Sequence, residues 1–197
     1  MNATKIKLSA TELDLVTNAA VLLTKNTITN KVITAFGALA NDMQIAIMAS
    51  HLPENVLAST PKIARGENYL GLPWVMLDYP RVFAKQDVFA IRTFFWWGNC
   101  LSVTLQLSGI YQQQFQAQIF ALLSTNDNDW LLCCNIEDAW QHHFEANNYK
   151  PFSQFSKQEF AKLPFIKLAK KIPLQEWDNI ETFIKSTFDA LLQLLAT

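Results

Sequence analysis

Arginine is nearly missing from this chain, at three of 197 residues against 13 lysines. Basic side chains total 16 and acidic ones 17, so neither sign dominates. That balance excludes the strong basic field on which nonspecific nucleic-acid binding depends. Cysteine is sparse too, with three residues, and Cys133 and Cys134 are adjacent, so a strand would point them to opposite faces. A disulfide framework is excluded. The glycines do not form a phosphate loop, which needs a glycine pair bracketing four residues before Gly-Lys-Ser/Thr. No apolar run approaches the ~20 residues of a membrane span, and no basic, apolar, small-residue export pattern opens the sequence. The expectation is a cytoplasmic, reducing setting without membrane or nucleic-acid partners.

What the chain does have is apolar bulk. Half its residues are hydrophobic and 17% are charged, and 14 Phe, six Trp and four Tyr promise a bulky core or an apolar cavity. No repeat and no Gly-, Ser- or charge-rich linker divides it, so residues 1–197 read as a single domain with residues 1–8 frayed. The C-terminal lysines, Lys157, Lys162, Lys167, Lys170 and Lys171, read as a solvated face.

Ser9 and Glu12 have capping-box spacing, and Leu13, Val16, Ala20 and Leu23 then recur at helical intervals, predicting a helix over 10–25. A second helix follows Asn26 or Thr27, carries Val32, Phe36, Leu39, Met43 and Ile47 in one stripe, and ends near His51 before Pro53. Residues 53–73, punctuated by prolines and glycines, read as an irregular connection. Trp74 to Tyr79 reads as a strand closed by Pro80. Val88–Trp97 and Leu101–Ser108 read as a hairpin around Gly98-Asn99, a glycine-first pair suited to a type II′ turn. A helix over 110–124 would turn Tyr111, Phe115, Ile119 and Leu122 inward and leave its glutamines outside. Trp130–Asn135 predicts a central strand, 139–145 a short helix, Phe165–Ile172 a last strand and Leu174–Leu195 the final helix. Together these predict an α+β fold. It would have an antiparallel sheet of about 4–6 strands, an N-terminal helical pair and a long C-terminal helix.

All three arginines, Arg65, Arg81 and Arg92, fall within 28 residues, inside a stretch from Pro61 to Gly109 that also holds four of the five glycines. A guanidinium is flat, permanently charged and able to grip a carboxylate or phosphate through parallel hydrogen bonds. If Gly98 and Asn99 are the central turn residues, Trp96 pairs with Leu101, Phe94 with Val103 and Arg92 with Leu105. Arg92 then joins the apolar face of Leu101, Val103, Leu105 and Leu107. A charge there costs several kcal/mol unless a carboxylate compensates it, and Asp78 and Glu67 are the nearest acids. Two readings follow. Arg92 ties the hairpin to its neighbouring strand by a salt bridge, or it joins Arg65 or Arg81 in holding an anion within a pocket walled by Trp74, Tyr79, Trp96 and Trp97. A slip of one residue in the turn would move Arg92 to the other face.

Other candidates are weaker. Neighbouring His142 and His143 would point ~100° apart on a helix and cannot chelate one ion as an i, i+4 pair does. Asp127-Asn128-Asp129 begins like a calcium loop but meets Trp130 and Leu131 where oxygen ligands are needed. Cys100 has a route to solvent beside the turn, but no histidine can be assigned to it. The Asn2 glycosylation sequon has no meaning without export. No metal and no cofactor is expected.

The stretch from Pro61 through Gly66-Glu67-Asn68-Tyr69 to Leu77-Asp78-Tyr79-Pro80-Arg81, followed by Phe89 to Asn99, resembles a small uncharacterised bacterial family of the Bacteroidetes type. That resemblance implies a bacterial, cytoplasmic setting and carries no activity or catalytic residue. The residues point instead to a binding module that holds a small anionic ligand or a partner protein. Its surface would comprise Arg65, Asp78, Tyr79, Arg81, Arg92 and Trp96. The alternatives are an enzyme acting on a small acidic substrate in the same pocket, or a structural homo-oligomer such as a homodimer.

Overall fold

The computed structural model describes residues 6–125 and 129–196. The Asn2 sequon, the first part of the frayed terminus and Asp127-Asn128 lie outside these residues.

The capping box forms as its spacing predicts. The Ser9 hydroxyl accepts from the Glu12 N–H, and the Glu12 carboxylate accepts from the Ser9 N–H at 2.7 Å. Helix α1 (Ala10–Thr17) stops early, however, and a new helix α2 (Ala19–Met48) starts at Asn18, whose side chain accepts from Ala20 N at 3.1 Å. The break falls at Asn18 rather than at Asn26, because asparagine caps well where it can reach the N2 amide. Thr27, by contrast, bonds back to the Leu23 carbonyl and stays inside the helix.

Residues 53–73 are ordered rather than irregular. They hold α3 (Glu54–Leu57) and an eight-residue strand β1 (Lys62–Tyr69), which pairs with β2 (Leu72–Phe83). β1 is an edge strand wetted along much of its length, so it needs no apolar alternation and gives none to read. Gly66 serves close approach there, since a Cβ would sit 2.6 Å from the Trp74 ring. β2 runs on through Pro80, because a bulge between Asp78 and Arg81 absorbs the missing donor.

The remaining elements are β3 (Val88–Trp96), β4 (Cys100–Leu107), α4 (Ile110–Thr125), β5 (Leu131–Cys133) and β6 (Tyr149–Pro151). After these come α5 (Lys157–Ala161), β7 (Ile166–Pro173), a 3₁₀ turn (Leu174–Asn179) and α6 (Ile180–Leu195). The fold is α+β, with a seven-stranded antiparallel sheet in the order β1-β2-β3-β4-β7-β5-β6. Several expectations are corrected. β5 is three residues long and lies next to the β6 edge rather than at the centre. No helix forms over 139–145. In α4 Leu123 faces inward in place of Leu122, and the glutamines are engaged: Gln112 and Gln116 donate to the carbonyls of Leu163 and Phe160.

The two faces of the sheet are covered differently. Val75, Leu77, Phe95, Leu101, Val103 and Leu105 pack under the inward stripes of α2, α4 and α6 in one continuous core. On the opposite face lie Asp78, Arg92, Thr104 and Lys167, roofed by the irregular segment 134–148 that joins β5 to β6. No described helix is long and apolar enough to cross a membrane.

Candidate functional site

The predicted hairpin register is off by one. Arg92 pairs with Thr104 and Phe95 with Leu101, so three residues, Trp97, Gly98 and Asn99, make the turn. The cause is Trp97, whose N–H donates to the Pro73 carbonyl at 3.0 Å; this residue stays with β2 and does not pair with Cys100. Gly98 takes the positive φ of 70° that the wider turn requires. Arg92 therefore leaves the apolar face and projects under the 134–148 strap.

There it is held from several sides. Nε donates to Asp78 Oδ1 at 2.7 Å and Nη2 to Asp78 Oδ2 at 2.9 Å, a bidentate pair on the directly opposed strand position. The side chains of Arg92 and Asp78 are 11% and 3% exposed. Nη1 reaches His142 Nε2 at 2.9 Å, and the Trp140 ring lies over the guanidinium at 5.7 Å. Because arginine can only donate, Nε2 must accept, which fixes His142 as the neutral ring with its proton on Nδ1.

The strap is pinned elsewhere by the same logic. Tyr69 Oη accepts from the backbone N–H groups of His142 and His143 at 2.6 and 3.0 Å. Lys167, 1% exposed, donates to the Ala139 carbonyl at 2.8 Å and also to the Gln141 carbonyl. Lys167 thus departs from the solvated face that its lysine-rich neighbourhood predicts. It points to the strap side because it alternates with Ile166 and Leu168, which face the core.

Burial sets the protonation of this layer. Loss of water, then the nearby charges of Lys167 and Arg92, push His142 from 6.5 down to about 2. Loss of water likewise pulls Lys167 from 10.5 to about 8, and burial raises the Tyr149 hydroxyl and the Cys133 thiol. Neither Asp78, locked by Arg92, nor His142 is a free base, and the Lys167 ammonium is engaged by carbonyls. Among the described residues no group of three or more His, Cys, Asp or Glu side chains could hold a metal ion.

A pH dependence follows from the lowered His142 value. Between about 2 and 6.5 the unfolded ring binds more protons than the folded one, so stability rises with pH and is lost as pH falls below 6.5. The loss attributable to this ring should reach about 1 kcal/mol per pH unit. His142→Gln, which retains an acceptor for Arg92, should flatten the decline in urea midpoint between pH 7 and 5. Equal slopes in the two proteins would show that the ring is hydrated.

The predicted site residues do not converge. Asp78, Arg92 and Trp96 share the strap face, and the Trp96 indole donates to the Tyr69 carbonyl at 3.2 Å. Tyr79 is buried in the core beneath the helices. Arg65 pairs with Val75 and so faces the other side of the sheet, exposed. Arg81 is tied to the loop before β1, with Nε donating to the Thr60 carbonyl at 3.1 Å. Arg65, Arg81 and Arg92 line none of three cavities among the described residues. A hollow of about 140 Å³ beside the hairpin turn is lined by Trp96, Cys100 and Lys171, and a larger one of about 350 Å³ lies between α4 and α5.

Sequence reasoning missed Lys167, His142, Trp140 and Tyr69. A lysine inside the apolar run Phe165-Ile166-Lys167-Leu168 was a usable signal; the strap residues have no periodicity and offered none. It also missed a run of exposed apolar side chains at the start of the described residues. α1 buries none of its residues. Leu13, Leu15 and Val16 are 55%, 53% and 69% exposed, and Val21, Leu22 and Leu23 at the start of α2 are 46%, 61% and 65% exposed. Leu13, Val16, Ala20 and Leu23, predicted as one inward stripe, are divided between two helices by the break at Asn18 and all face solvent. Compared with protein-family models, curated proteins and solved structures, the chain matches none.

Proposed function

We propose that this chain is a cytoplasmic, non-enzymatic binding module that holds a partner protein through its N-terminal helical arm. One observation carries the reading: large aliphatic side chains from Leu13 to Leu23, on α1 and the first turns of α2, stand in water. Scattered exposed leucines are ordinary, but contiguous ones mark interaction surfaces. A small anionic ligand on the arginine and aromatic surface is disfavoured, because Arg92 is bidentate to Asp78 and Arg65 lies on the opposite face of the sheet. An enzyme there would lack a free base. The three unbridged cysteines agree with a reducing compartment.

The test is a photo-crosslinking amino acid placed at Leu15 in living cells, with Lys85, exposed on the β2–β3 turn, as the control position. Protein adducts at Leu15 well above those at Lys85 are expected. Equal labelling at both positions would remove the arm as a binding surface.

A further inference from the structure

Resting on that reading, we infer that the occupant of the arm is a second copy of this chain, paired antiparallel about a two-fold axis at Asn18. A two-fold interface must be self-complementary, with each residue meeting its counterpart across the axis. The arm satisfies this at three apolar pairs, while Asp14 falls opposite Leu22. Counting outward from Asn18, Val16 stands opposite Ala20, Leu15 opposite Val21 and Leu13 opposite Leu23. Leu13 and Val16 on α1 and Ala20 and Leu23 on α2 are each three residues apart, so each helix offers the other copy one apolar pair, and the order reads the same in both directions.

The charges fit the same arrangement. From Leu8 to Thr24 the arm has no basic residue, and its acids are Glu12 and Asp14. Antiparallel pairing brings Glu12, exposed on α1, within one step of the partner copy's Lys25. Lys25 bonds Glu67 on β1 and retains two of its three donors. A parallel pairing would instead set Glu12 and Asp14 against themselves.

The break at Asn18 also gains a purpose. Asn18 has φ −94° and ψ 87°, so α1 turns away from the line of α2 at the position of the axis. Each α1 can then lie along the first turns of its partner's α2. Residues 10–28 give about 28 Å of helix, and half the side of a cylinder ~11 Å wide is about 500 Å². Two such faces bury about 1,000 Å² in total, the size at which a specific interface begins.

The experiment uses the full chain with Cys100 and Cys134 changed to serine, leaving buried Cys133 in place, and adds Leu13→Cys or Leu23→Cys. All four positions are at least partly exposed, so folding should be undisturbed. Each variant is oxidised alone and as an equimolar mixture, on the order of 100 μM, above the μM affinities such an interface area allows. Covalent dimer is expected in the mixture at about tenfold or more its level in either variant alone. Leu15→Lys in the native chain should convert the dimer seen by light scattering to monomer without lowering the melting temperature measured on dilute protein. Crosslinking of either variant with itself as readily as in the mixture would overturn the antiparallel pairing. Monomer throughout would overturn self-association. Adducts to a different protein at Leu15 in cells, beside a monomeric purified chain, would sink this inference while leaving the association reading intact.

Discussion

Arg92→Ala should destabilise the folded protein by about 3–5 kcal/mol, the usual result of leaving a buried charge without its counter-ion. The orphan here is Asp78, whose side chain is 3% exposed and whose oxygens accept from Nε and Nη2. Asp78→Ala should cost a similar amount, because it strands the guanidinium instead. The diagnostic case is the double replacement Arg92→Met with Asp78→Leu, which removes both charges and keeps the volume. It should recover most of the loss, since hydrophobic isosteres commonly match a buried ion pair. Urea unfolding of the parent, Arg92→Met, Asp78→Leu and their double gives the coupling directly. A loss below about 1 kcal/mol in Arg92→Ala would show that water reaches the pair. The strap should loosen in the same variants, because His142 loses its donor and Trp140 its cation. Faster amide exchange over 139–145 would report it.

Phe36→Ala should cost a comparable 3–5 kcal/mol, through lost burial and the cavity left behind. Phe36 is 1% exposed and belongs to the stripe that fastens α2 to the sheet. Leu23, on the same 30-residue helix, is 65% exposed. Leu23→Ala should fall within about 0.5 kcal/mol of the parent when measured on dilute protein. α2 is thus two things joined end to end, an anchor from Thr29 onward and an arm before it. Equal losses from the two replacements would mean that the arm packs on its own domain.

Much of this arrangement was legible from residue order, for reasons that differ by element. The stripe Val32, Phe36, Leu39, Met43, Ile47 and the alternation Leu101, Val103, Leu105, Leu107 declare a buried face directly, and both are buried. Asp78 and Glu67 are the two acids expected beside Arg92; the salt bridge forms with Asp78, while Glu67 pairs with Lys25. The hairpin register failed because its turn is set by a contact outside the hairpin, Trp97 N–H to Pro73 O. Periodicity also shows that a helix has an apolar face without showing that anything covers it, so the arm was read only as a helix. Lys167 was misplaced because its partners are the backbone carbonyls of Ala139 and Gln141, which have no residue identity to recognise. The strap escaped for the same reason: its order comes from long-range hydrogen bonds to Tyr69 and Arg92, and local pattern is silent about those.

The borders of the sheet bear on how far copies of this molecule can assemble. β1 presents Lys62, Arg65 and Glu67 to solvent and is interrupted by a bulge between Gly66 and Tyr69. At the far side β6 is three residues long and ends in Pro151, which has no N–H to offer a neighbour. Charge, irregularity, brevity and proline are the devices that keep open strands from templating further strands. Growth of a fibre by adding sheet to sheet is disfavoured at both margins.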